Sequence, residues 1–243
     1  MREDQRAISR GAEVVTPSES TIDLGGTEAG EARSLPKDSA HDRMIVNFGC
    51  GDSAVDGYVN VDGSPTVLMA RIPLPAGVFG SRAAFVRAVR SRKVRYATSR
   101  RLTFPNRTLD GFYASHVLEH LARGQCEALL RRCHRWLKPK GVLRVVLPDL
   151  KRLAQAYVSG ERSANQFISD TRMSVERLGW FGLLFGNSHH RWMYDAEGFM
   201  RLLRHLGYRN VEEIGFRRSR MPELASLDIP RRKEESFYVE AQP

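Results

Sequence analysis

A chain of 243 residues, 42% hydrophobic and 27% charged, has the length and composition of one folded domain with a sizeable core plus a tail. No run approaches the ~18–20 apolar residues of a membrane span, and the opening "MREDQRAISRGAEVV" has no apolar stretch, so neither a spanning helix nor a secretory signal is expected. The net charge of +10 comes from 32 arginines and 6 lysines spread along the chain, which reads as diffuse basicity more than a nucleic-acid face.

Residues 1–40 are polar and aperiodic and read as a disordered tail, leaving 41–243 as the folded domain. "MIVNF" (44–48) and "YVNVD" (58–62) read as strands, "SPTVLMARIPLPAGVFG" as loop, and residues 81–92 as a helix capped by Ser81. "KVRYA" (93–97) and "LDGFYAS" (109–115) are the next strands. A helix running on from Val117 then buries Leu129, Cys133, Trp136 and Leu137 on one face, and Pro139 and Gly141 stop it. "VLRVVLP" (142–148) is a continuous apolar run, as in a parallel sheet. Residues 150–194 read as a helical insertion. Asp195 caps a further helix ending before Gly207, and strands at 210–216 and 236–241 close the chain. Alternating strands and helices imply an α/β, Rossmann-like, doubly wound and mostly parallel sheet with a helical insertion after the fifth strand.

Gly49 and Gly51 stand at the end of the first strand and Asp62 at the end of the second. In a dinucleotide fold, that acid follows the glycines by about 20 residues, with a helix between them to receive the pyrophosphate. Eleven positions separate Gly51 from Asp62, too few for a full crossover helix. The ribose site survives and the pyrophosphate site is weakened, which favours an adenosine ligand without phosphate, S-adenosylmethionine first among them.

Three blocks then occur in order: "VNFGCGDSAVDGYVNVDGSP", "LTFPNRTLDGFYASHVLEHL" and "LRRCHRWLKPKGVLRVVLPDL". Together they resemble the class I S-adenosylmethionine-dependent methyltransferases, in particular the type 11 group and members associated with polysaccharide biosynthesis. The resemblance implies S-adenosylmethionine as cofactor, with Gly49, Cys50 and Gly51 beside its methionine portion and Asp62 on its ribose. It places Ser115 and His116 at the transfer site. Thr98 stands where relatives often carry an adenine-binding aspartate, and Thr98 or Ser99 is expected to accept that hydrogen bond instead.

On the acceptor side, His190, His120 and Tyr194 are the candidate catalytic groups, with His116 also in "SHVLEH" and His189 also in "GNSHHRWMYD". Histidine titrates near neutrality and suits a base. Glu119 reads as a structural acid. No metal site is expected, because no third ligand stands out beside the histidines and Cys50, Cys126 and Cys133 lack paired spacing. The expected acceptor is an oxygen of a saccharide or related small metabolite, in a cytoplasmic enzyme. "LGWFGLLFGN" (178–187) and the basic helix at 81–92 suggest a lid or weak peripheral membrane contact. RNA methylation, a non-catalytic cofactor-binding scaffold and a nicotinamide oxidoreductase are the rival readings.

Overall fold

A computed structural model describes residues 43–91, 94–173 and 189–243. The tail expected at 1–40 and the apolar stretch 178–187 lie outside the described residues. Seven strands form one sheet: β1 (Ile45–Phe48), β2 (Val59–Asp62), β3 (Arg95–Tyr96), β4 (Leu109–Ser115), β5 (Leu137–Pro148), β6 (Arg209–Glu213) and β7 (Ser236–Gln242). Their order is β3-β2-β1-β4-β5-β7-β6. The first five run parallel, and β7 enters antiparallel between β5 and β6. The parallel strands therefore present their carboxyl ends along one edge, where open α/β sheets hold ligands.

Strand alternation divides the core between the faces. Val46, Phe48, Phe112 and Ala114 pack one face with Leu129, Leu130 and Cys133 of α3 (Arg123–Trp136) and Phe199 and Leu203 of the capped helix Ala196–His205. Ile45, Tyr113 and Val146 pack the other with Met221, Leu224 and Leu227. Helices α1 (Pro65–Met69) and α2 (Ala83–Ser91) form a smaller cluster through Val67, Val86 and Val89. The insertion begins with α4 (Leu150–Val158) and α5 (Ala164–Thr171), which meet through Tyr157 stacked on Phe167 at 5.3 Å. We number the helix Ala196–His205 α6, and the short helix Pro222–Ala225 α7.

Three expectations are corrected. The segment read as loop after Asp62 contains α1, because Ser64 accepts from the Thr66 amide and Pro65 occupies the first turn. The helix expected from Val117 is broken. His116 takes φ 52°, Leu118–His120 form one 3-10 turn, Leu121 is extended, and α3 starts only at Arg123. The stop expected at Pro139 and Gly141 comes earlier, at Trp136, because Leu137 already pairs with Leu109 and opens β5.

The shortened crossover between β1 and β2 holds no helix, and two buried asparagines supply the hydrogen bonds one would have made. Asn60 Nδ2 donates to the Val55 and Tyr58 carbonyls, and its Oδ1 accepts from Val55 N and Asn47 Nδ2. Asn47 Nδ2 also donates to the Ser53 carbonyl at 3.1 Å. Buried backbone groups need partners, and these side chains provide them.

Candidate active site

The carboxyl edge gathers Gly49–Gly51 after β1, Asp62 ending β2, Thr98 and Ser99 after β3, and Ser115 and His116 after β4. Gly49 and Gly51 both take positive φ, 70° and 52°. A Cβ on Gly49 would lie 2.7 Å from Val117, whereas one on Gly51 would meet only Phe85 at 3.8 Å. Gly49 therefore makes room for the chain after β4, and Gly51 borders open space.

Asp62 is buried and clasps the glycine loop. Its Oδ2 accepts from Gly51 N at 2.9 Å and its Oδ1 from Ser64 N at 2.6 Å. Burial raises its pKa above the usual carboxylate value, against the lowering by these two amide bonds. Each oxygen keeps a further acceptor direction, so ribose hydroxyls fit the carboxylate. Cys50 is buried beside Asp62, and burial pushes its thiol up to about 12, so it stays neutral. Ser99 is buried and Thr98 half-buried; the Thr98 carbonyl accepts from Arg101 N and Leu102 N. Gly63 lets β2 and β3 approach there, since a Cβ would stand 3.2 Å from the Ala97 carbonyl.

Sequence reasoning missed Arg232, 117 positions from Ser115 in the chain. Its Nη1 donates to the Ser115 carbonyl at 2.8 Å and to Ser115 Oγ at 2.9 Å. No spacing in the sequence signals that contact.

Beyond β4, the structure brings His116, Glu119, His120 and His190 together. The segment before α6 is stapled on by Arg191 N and Trp192 N, which donate to the Glu119 carbonyl at 2.7 and 3.2 Å. Glu119 Oε1 lies 3.7 Å from His116 Nδ1, 3.9 Å from His120 Nε2 and 3.9 Å from His190 Nε2. His120 Nδ1 donates to the His189 carbonyl at 3.0 Å, His190 Nδ1 faces Met193 Sδ at 3.0 Å, and His116 Nε2 meets Ser236 Oγ at 2.7 Å.

Burial, with neighbouring positive groups, lowers all three histidines, His116 to about 2 and His190 to about 4, so each is neutral at pH 7. Burial lifts the Glu119 carboxyl to about 8. Of the three, His120 keeps the most side-chain exposure, 20% against 13% for His116 and 4% for His190. Tyr194 does not join them. It sits in the core against Phe199, its backbone bridges Asp149, and its hydroxyl lies by the Cys126 thiol.

Two surface clefts lie elsewhere. One, of about 570 Å³, runs between α3 and α6 past Arg123, Trp192 and Asp195, and the other is bordered by Arg217 and Ser226. Neither is lined by Asp62 or the glycine loop. Among the described residues, no helix is long and apolar enough to cross a membrane.

A family model described as a methyltransferase domain matches residues 30–213. The chain is similar in fold to an S-adenosylmethionine-dependent methyltransferase from Archaeoglobus fulgidus, at 16% identity and a TM-score of 0.47, covering 83% of this chain and 86% of that one. It is likewise similar to an S-adenosylmethionine-dependent methyltransferase from Thermotoga maritima, at 15% identity and a TM-score of 0.46, covering 83% and 82%. No curated protein matches the chain. The family match spans β1 through β6 and takes in the glycine loop, Asp62 and the histidine cluster, so the chain belongs to the methyltransferase domain family and is a class I S-adenosylmethionine-dependent methyltransferase.

Proposed function

We propose that the chain transfers a methyl group to an oxygen of a saccharide or related small metabolite. When bound, S-adenosylmethionine supplies a methyl already activated on sulfonium. The protein's task is then to bind the donor, align the acceptor and deal with the acceptor's proton. Asp62 holds the ribose, Gly49, Cys50 and Gly51 border the methionine portion, and Thr98 and Ser99 serve the adenine. Ser115 and His116 stand at the transfer position.

The observation that carries an oxygen acceptor is the pair of neutral imidazoles, His120 and His190, in the cluster beyond β4. A backbone carbonyl only accepts, so His120 Nδ1 holds that ring's proton and its Nε2 is a bare acceptor on the Glu119 side. A hydroxyl acceptor must lose or share a proton during transfer, and a neutral imidazole can take it. His120, the more exposed, is the better placed base, with His190 behind it. Tyr194, one of the three residues singled out in the sequence, serves instead to fasten β5 to α6. The saccharide class rests on the resemblance of "FPNRTLDGFYASHVLEHL" to the type 11 group.

The test is transfer of labelled methyl from S-adenosylmethionine to free sugars, nucleotide sugars, glycans and RNA in parallel. Label should enter a saccharide hydroxyl. His120→Gln should spare cofactor affinity and lower transfer by ~10²–10⁴, the contribution of a positioned base. Label entering RNA alone, or full turnover in His120→Gln, would remove this reading.

A further inference from the structure

Glu119 is 1% exposed, and among the described residues neither carboxylate oxygen has a hydrogen-bond partner. Its own backbone N–H offers only partial compensation. Among the described residues, the basic groups within 4.0 Å of its Oε1 are imidazole nitrogens, not lysine or arginine. Nε2 of His120 carries a lone pair because that ring's proton is held at Nδ1, and neutral His190 offers one from Nε2 in its Nδ1-protonated tautomer. Three candidate ligand atoms thus converge on one buried spot, where the Glu119 oxygens have no hydrogen-bond partner among the described residues. Leaving such groups unpaired is costly, and a cation placed among them removes the cost.

We propose that Glu119, His120 and His190 form a binding site for one divalent transition metal of the zinc, cobalt and iron(II) class. The three ligand atoms lie within 4.8 Å of one another. A tetrahedral site with bonds of about 2.0–2.1 Å has ligand edges of roughly 3.3 Å, so each atom must close in by less than ~1 Å. Two imidazoles and one carboxylate match the donor set that such metals take, and three protein ligands leave a coordination position open.

The outer contacts suit the task. His120 donates its other nitrogen's proton to the His189 carbonyl, the orientation a metal-binding histidine usually receives from its surroundings. The Glu119 carbonyl holds Arg191 N and Trp192 N, so ligands 70 positions apart in the chain are fastened together before any metal arrives. The 3-10 turn Leu118–His120 carries both Glu119 and His120, and the extended Leu121 ends it before α3 begins. The sequence shows no third ligand because Glu119 reads there as a structural acid and His190 lies far along the chain.

Metal binding stands independently of the acceptor. Its catalytic consequence rests on the proposed function: with metal bound, the open position would receive the acceptor hydroxyl and lower its pKa, and the proton would leave to solvent instead of to His120.

The experiment reads binding without acceptor or methyl donor. Protein stripped with chelator is loaded with Zn²⁺ or Co²⁺, freed of excess metal, and assayed for metal per chain, visible Co²⁺ absorption and Tm. The parent should retain about one metal, show the cobalt bands and gain Tm. Glu119→Gln and His190→Gln should each lose metal affinity by at least ~10-fold. His205→Gln, an exposed histidine outside the cluster, should bind as the parent does. In chelator, Glu119→Gln should melt no lower than the parent, which shows that its loss of metal is not a loss of fold. No retained metal in the parent, or equal retention in Glu119→Gln, would overturn the site. Metal retained without any methyl transfer would leave the site standing and count against the proposed function alone.

Discussion

Two glycines of one loop, two residues apart, have different jobs. Gly49→Ala meets both a left-handed backbone and the Val117 side chain at 2.7 Å, whereas Gly51→Ala meets the backbone cost alone. The left-handed conformation costs roughly 1–2 kcal/mol, and overpacking adds ~1–3 kcal/mol. Urea denaturation should therefore find Gly49→Ala the less stable of the two. Adding Val117→Ala should return part of the loss at Gly49 and nothing at Gly51. Asp62 joins this loop to the ligand. Because its pKa is raised, it takes up a proton at a higher pH than an ordinary aspartate, and the neutral form accepts ribose hydroxyls poorly. Cofactor affinity should accordingly weaken as pH falls toward the carboxylate range and strengthen as pH rises. Titrations between pH 5 and 8 check the sign, and Asp62→Asn, with no proton to take up, should show a flatter profile.

At the scale of elements, the segment between β6 and β7 depends on a buried ion cluster. Arg144 of β5 binds Asp228 through Nη2 at 2.6 Å and Nε at 3.1 Å, and Glu240 of β7 through Nη1 at 2.9 Å. It also donates to the carbonyls of Gly215 and Arg218, while Tyr113 reaches Asp228 and Leu227. All three charged side chains are fully buried. Removing the cation strands two carboxylates, so Arg144→Met should destabilise by ~3–5 kcal/mol, read as a lower urea midpoint. The same segment carries Arg232 to Ser115, so that variant should also disturb the transfer side. The break after β4 is the second such device. The run "HVLEHLARGQCEALL" looks like one helix because its apolar residues keep helical spacing. What interrupts it is tertiary: His116 anchors to Ser236, and the Glu119 carbonyl to the amides of Arg191 and Trp192. Local pattern carries no trace of either partner.

For the molecule as a whole, the sheet was legible because its strands are short apolar runs between turn signals, and β4 fell on the residues the pattern marked, 109–115. Asp62 and the glycine loop were legible for a related reason, since ends of consecutive strands in a parallel sheet share an edge. The antiparallel entry of β7 between β5 and β6 was not, because strand order depends on partners that no local spacing encodes. The shortened crossover was read correctly as helix-free. Its support by Asn47 and Asn60 was invisible, as two polar residues inside apolar strands carry no mark of the carbonyls they meet. The histidines were found one by one, while their meeting with Glu119 required the fold. The central claim is that this edge binds S-adenosylmethionine through the glycine loop and Asp62. Calorimetric titration of the parent and Asp62→Ala with S-adenosylmethionine and with NAD tests it most directly. The parent should bind S-adenosylmethionine and bind NAD far more weakly, with Asp62→Ala costing ~1–3 kcal/mol of cofactor affinity. Equal affinity for the two ligands, or an undiminished affinity in Asp62→Ala, would contradict the account.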